Sequence, residues 1–326
     1  LELTRRLQGL GLLRRCYSVG VTHALLLWPD FSLILCGCLL CRFTPLNRSV
    51  WEPVERLVYF CLFPVMLFQA ILRSPLDFQS DARLIAAGLL MGGLSIAFTY
   101  TLPYLPGLAR FMPRADFAAS AQVAFRFNSF IALAVSERLA GHQGVVLVAV
   151  LIGFLVPLMN IAAVWPMARH GEHHFLRALG RNPLVITTSA ALTLNLMGFR
   201  IPALFEVPLT RMSSAALALG LMAAGAGLDF HALKGNRVLS SSLLGIRHVL
   251  TPVLAGFLVH WLALEPTQAL VLMAFAAMPT ASSCYVLASR MGFNGAYVAG
   301  LVTLSTLLGM VSIPLTLAIF EYIGRF

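Results

Sequence analysis

The chain has 326 residues, of which 59% are hydrophobic and only 11% charged, whereas a soluble domain carries about 25% charged residues. Water cannot solvate most of such a surface, so a soluble globular protein is excluded. The apolar supply suffices for many bilayer crossings of about 20 residues joined by short loops, with no room for a separate soluble domain. The net charge of +10 comes without any run of interleaved basic and aromatic residues. That excludes nucleic acid as a partner and sets loop arginines against acidic lipid headgroups instead.

In chain order, residues 1–22 form a basic tail carrying Arg5, Arg6, Arg14 and Arg15. No small-residue cleavage pattern follows the next apolar run, so the tail reads as a juxtamembrane segment able to lie on the membrane surface. Apolar segments then fall at 23–41, 53–72, 82–103, 117–139, 143–165, 182–198, 206–228, 241–263, 267–289 and 293–320. In hydrocarbon every backbone amide needs an internal partner, so these segments are helices except where they line a cavity or pack on protein.

The polar stretch from His170 to Asn182 splits the segments into two groups of five: a first repeat at 23–166, a loop at 167–181 and a second repeat at 182–326. Ala124-Phe125 and Glu137-Arg138-Leu139 in the fourth segment echo Ala274-Phe275 and Ser289-Arg290-Met291 in the ninth. Val156-Pro157-Leu158 similarly echoes Ile313-Pro314-Leu315. An odd number of helices per half forces the halves to run in opposite directions, as an inverted repeat. The fold expected is therefore an all-α integral membrane protein of ten transmembrane helices. Basic residues such as Arg110, Arg114, Arg177, Arg181, Lys234 and Arg237 crowd one set of loops. This predicts a multi-pass protein of the plasma (inner) membrane with the central loop cytoplasmic and both termini outside.

Cysteines 36, 38, 41 and 61 lie in apolar stretches and read as small hydrophobes, and His170, His173 and His174 as solvated loop residues. No metal or cofactor is implied. Charges at bilayer depth are costly and each needs a reason. Asp30, Arg247 and His248 lie within reach of helix ends, so snorkelling or mutual pairing accounts for them. Arg126, in Arg126-Phe127-Asn128-Ser129, is too central for that escape. Asn128 and Ser129 compete for backbone hydrogen bonds there. In the ninth segment, Met278-Pro279-Thr280-Ala281-Ser282-Ser283 holds a proline that removes a donor and blocks a carbonyl. Two helices weakened at one depth present freed amides and positive helix ends to an anion, and Arg126 adds a two-pronged donor that matches a carboxylate. The bland alternative is interhelical hydrogen bonding plus a proline kink. Gly88, Gly92, Gly220 and Ala224 suit close helix packing.

These residues resemble the auxin efflux carrier family, which includes bacterial dicarboxylate carriers and PIN-type plant auxin exporters. The resemblance rests on Leu57-Val58-Tyr59-Phe60, Pro64-Val65-Met66-Leu67-Phe68, Arg126-Phe127-Asn128-Ser129-Phe130, Arg181-Asn182-Pro183-Leu184 and Met278-Pro279-Thr280-Ala281-Ser282. It implies two inverted five-helix repeats, a scaffold of helices one, two, six and seven, and a transport domain of the other six. Helices four and nine would break and cross, with Asn128 matching the family's crossing asparagine. Pro279 matches the second crossing, but Thr280 stands where plant members carry asparagine, so binding detail does not transfer there. Members are elevator-type carriers of organic acids, often dimeric, which makes a second copy of the chain a candidate partner.

The reading is a secondary transporter, not an enzyme, for a small organic anion, either auxin-like or a dicarboxylate. Arg126 and Asn128 are the first-choice binders, with Ser129, Pro279, Thr280 and Ser282 beside them. The competing readings are a sodium-coupled symporter of the bile-acid type and a transport-derived membrane sensor. A membrane-embedded enzyme with Ser282 or Cys284 as nucleophile finds no His or acid placed with either by spacing.

Overall fold

The computed structural model describes residues 28–29, 31–73, 78–168, 183–228, 236–281 and 283–323. The basic tail, Asp30, the central loop with its histidines, and Ser282 all lie outside the described residues. Among those described, the regular structure is entirely helical. Helix α1 is Phe31–Phe43. Helix α2 runs through Arg48–Leu57, a π turn Val58–Leu62 and Phe63–Arg73. Helix α3 is Phe78–Thr101, α4 is Arg114–Ser120, and α5 is Ser129–Ala168 with a sharp bend at Ala140 and Gly141. Helices α6 (Pro183–Leu196) and α7 (Ala203–Ala226) follow. Helix α8 comprises Arg237–Gly245, a π turn Ile246–Leu250 and Thr251–Trp261. Helices α9 (Pro266–Ala276), α10 (Ser283–Arg290) and α11 (Gly295–Ile323) complete the chain.

Among the described residues, five helical stretches are long and apolar enough to cross a membrane: Ala82–Tyr104, Arg114–Met167, Ala203–Ala226, Arg237–Trp261 and Gly295–Ile323. Phe31–Phe43 and Pro266–Ala276 are shorter apolar helices. Large apolar side chains such as Phe60, Trp165, Val253 and Phe257 are exposed on the outside of the bundle, as lipid contact requires. The chain is a multi-pass membrane protein.

The second segment begins earlier than its hydropathy predicts. Asn47 caps α2 by accepting from the Ser49 amide at 3.0 Å, and Arg48 bonds Glu55 at 2.8 Å. Capping and ion pairing carry the helix past the apolar run, so Arg48, which precedes the predicted segment, is helical.

The helices form two groups. In one, α2 packs against α6 and α7, while α1 meets α7 backbone to backbone. A Cβ on Gly37 would sit 1.9 Å from the Met222 carbonyl oxygen, and one on Gly225 would sit 1.8 Å from that of Ile34. Only glycine permits this approach. In the other group α5 packs on α3 and α9, α8 packs on the same two helices, and α10 lies on α11. Gly88 and Gly92 of α3 face Leu151 and Leu155 of α5. The groups meet where α5 touches α2, α6 and α7.

Candidate functional site

The fourth segment is not one helix. After α4 the backbone tightens into a 3-10 turn, Ala121–Ala124, and residues 126–128 are non-helical before α5 starts. The ninth segment is interrupted in the same way between α9 and α10. The two interruptions touch: the Asn128 amide donates to the Pro279 carbonyl at 2.8 Å. Asn128, 3% exposed, turns its side-chain oxygen toward α5 and accepts from the amides of Phe130 at 3.0 Å and Ile131 at 3.3 Å. This caps the new helix and removes the incentive to continue the old one.

Breaking helices in a dry core frees amides and carbonyls, each of which needs a partner. The Thr280 amide donates to Ser305 Oγ at 2.9 Å, and the Ser312 hydroxyl reaches the Ala277 carbonyl at 3.4 Å. His248 braces both serines, with Nε2 2.8 Å from Ser305 Oγ and Nδ1 2.9 Å from Ser312 Oγ. Arg247 Nε donates to Met278 O at 2.7 Å, Nη2 to Phe275 O at 3.2 Å and Ala276 O at 3.0 Å, and Nη1 to Phe125 O at 3.4 Å. Arg247 is 1% exposed. The expectation that Arg247 and His248 snorkel is therefore corrected, while Asp30, the acid of the expected pairing, lies outside the described residues. The π turn of α8 adds a residue to one loop of helix; Arg247 is spent on the broken backbone and His248 on the two serines that bond it.

Beside the crossing lies a cavity of about 180 Å³ lined by Tyr59, Arg126, Phe127, Ser129, Val156, Met159, Asn160, Ala281 and Ser283. Arg126 is fixed by Gln122 Oε1, 2.8 Å from Nη1, and by Ser283 Oγ, 3.0 Å from Nη2. Gln122 is itself held by the carbonyls of Ala119 and Cys284 at 3.0 and 3.1 Å. The N-terminal residues of α5 and α10, Ser129 and Ser283, both border the cavity. Two positive helix ends and a guanidinium thus converge there, and no carboxylate is among the described lining residues.

A second, larger cleft of about 660 Å³ opens between α2, α5 and α7, lined in part by Met66, Gln69, Ala134, Glu137, Arg138 and Ser213. Along α2, Tyr59 faces the cavity and Met66 and Gln69 the cleft; along α5, Ser129 faces the cavity and Ala134 and Glu137 the cleft. Between them on both helices, Phe63 and Phe130 stack with centroids 4.4 Å apart at 10°. Phe130 also fills the space left by Gly220, where a Cβ would lie 2.6 Å from its ring.

Of the residues nominated from the sequence, Arg126 and Ser129 line the cavity, whereas Asn128 and Pro279 make the contact between the two breaks. Thr280 is buried, with its hydroxyl 3.6 Å from the Cys284 sulfur, and does not line the cavity. Ser282 lies outside the described residues. Sequence reasoning passed over Tyr59, Asn160 and Ser283. Asn160, the one amide in the interior of its apolar segment, was the one clear signal.

An all-helical, lipid-facing bundle with a polar cavity at two broken helices has the architecture of a membrane transporter. Residues 143–317 match the sequence model of the family described as membrane transport protein, the family of the auxin efflux carriers, and the chain belongs to that family. The match takes in the break at Pro279 and begins downstream of the one at Asn128. Comparison with curated proteins gives no match.

Proposed function

We propose that the protein is a secondary carrier of small organic anions that works by an elevator-type movement. The observation that carries this reading is the cavity at the crossing, where the Arg126 guanidinium and the first residues of α5 and α10 share one wall. Its volume of about 180 Å³ is below the ~300–1,000 Å³ typical of sites for drug-sized ligands, which favours a compact carboxylate. A carboxylate takes bidentate bonds from the planar guanidinium and further bonds from Ser129, Ser283 and Asn160.

In this reading α1, α2, α6 and α7 are the static scaffold and the helices around the crossing are the moving body. Each group draws helices from both of two inverted repeats of five crossings, ten in all, with the central loop on the cytoplasmic side. The cavity and the cleft are then the two ends of one route along the seam, and the Phe63–Phe130 stack is the barrier between them. Sliding the moving body by a few ångströms would carry Arg126 past Phe63 toward the cleft.

The test is anion uptake into proteoliposomes, with a panel of mono- and dicarboxylates ranked first by thermal stabilisation of the purified protein. Arg126→Ala should abolish uptake and ligand-induced stabilisation while the unliganded protein remains folded. Arg126→Lys, which keeps the charge but loses the planar fork, should retain a minor fraction. Wild-type uptake by Arg126→Ala would remove this residue from the site.

A further inference from the structure

A pair of broken helices has two kinds of exposed ends. The N-terminal ends, with unpaired amides, suit an anion, and the C-terminal ends, with unpaired carbonyls, suit a cation. At this crossing the N-terminal ends of α5 and α10 border the open cavity. The C-terminal ends do not: Phe275, Ala276 and Met278 from the end of α9, and Phe125 from the end of the 3-10 turn after α4, all turn their carbonyls onto one guanidinium. Four carbonyl oxygens gathered on the three nitrogens of one guanidinium are the type of donor a hard monovalent cation takes. Arg247 is 1% exposed, and no ion pair among the described residues includes it. Among the described residues its charge is answered by backbone carbonyls. An arginine does not give up its proton in a protein, so this positive charge is permanent.

We infer that Arg247 is the built-in counter-cation of the crossing: it fills the carbonyl-lined pole that a dissociable cation would occupy, and the anion is therefore bound and carried without sodium or potassium. This rests on the anion-carrier reading above and adds to it the ionic requirement of the same site. Arg247 is a positioning residue. It touches neither the cavity nor its contents, but it ties the end of α9 to the end of the turn before Arg126, and its field favours negative charge next door.

The first arm of the test uses the unaltered protein. Uptake of the best-stabilising carboxylate, and that ligand's effect on the thermal midpoint, should be equal in sodium, potassium and N-methylglucamine media. A requirement for either metal ion overturns the inference. In the second arm, Arg247→Ala should lower uptake about 10- to 100-fold, the loss expected when charge-assisted hydrogen bonds to buried groups go unmade. Millimolar methylguanidinium should restore part of both uptake and thermal midpoint, whereas methylurea, of similar shape but uncharged, should restore neither. Equal effects of the two additives, or wild-type uptake by the variant alone, refute the role. Should Arg247→Ala fail to fold, Arg247→Lys and Arg247→Gln carry the comparison: the lysine variant should keep uptake well above the glutamine one, and equal activities count against the inference. The effect of methylguanidinium on unliganded stability needs no substrate. It would survive the failure of the anion-carrier reading and would vanish only with the failure of this one.

Discussion

Asn128 gives the sharpest separation of architecture from binding. Its side-chain oxygen accepts the amides of Phe130 and Ile131 at 3.0 and 3.3 Å, while its own amide bonds Pro279. Asn128→Ala deletes the first two bonds and leaves the third, because the third is made by backbone. Loss of an N-cap costs about 0.5–2 kcal/mol. With Asn128 only 3% exposed, little water replaces the lost acceptor, so the upper half of that range applies, about 1–2 kcal/mol. At ~2–4 °C per kcal/mol for a chain of moderate size, the thermal midpoint should fall by roughly 2–8 °C. Asn128→Ser, which offers another good capping oxygen, should fall by less than half as much. The assay is thermal unfolding of the detergent-purified protein, alongside anion uptake at a temperature where both variants are folded. If the alanine and serine variants were equally stable, the cap would not be what ends the helical path at residue 128. If alanine left both stability and uptake intact, the crossing would not depend on this residue at all.

Other consequences concern the packing. Gly37→Ala and Gly225→Ala each place a methyl group within 1.9 Å of a carbonyl oxygen of the facing helix. Neither backbone can swing aside, so each variant should lose about 1–3 kcal/mol of stability, read as a lower thermal midpoint or reduced yield of folded protein. Gly220→Ala instead meets the side of the Phe130 ring, 2.6 Å from Cδ1 and 3.1 Å from Cγ. A side chain can yield where a backbone carbonyl cannot, so the loss of stability should be smaller, about 1 kcal/mol. Crowding the barrier should nonetheless slow turnover without weakening anion binding, which uptake rates and ligand-induced thermal shifts measure separately.

Much of the candidate site was legible because polarity in an apolar segment is conspicuous. Arg126 stood out for that reason, and Asn128 and Pro279 stood out as residues that compete with a helix or cannot complete one. What escaped notice had weaker local signals. Ser283 is one of several hydroxyls in its stretch, and only folding puts it 3.0 Å from Arg126. Thr280 and Ser283 were indistinguishable by chemistry, yet one is sealed against Cys284 and Ser305 and the other faces the cavity. Helix α2 was misjudged at its start because hydropathy is blind to an asparagine cap and an intrahelical ion pair.

Composition settled the solvent of this protein, and long unbroken apolar runs its helical character, since a chain so apolar must live in lipid and lipid demands self-satisfied backbone. The order of residues also marked where two helices would falter, because proline and asparagine act on neighbours within a turn or two. Folding alone decided who answers the faltering. Arg247 and His248 could as well have reached for a headgroup, and nothing within a few residues of them says otherwise. Their partners lie on other helices, and a hydrogen bond at 2.7 or 3.0 Å is fixed by how whole helices pack, which no local pattern records.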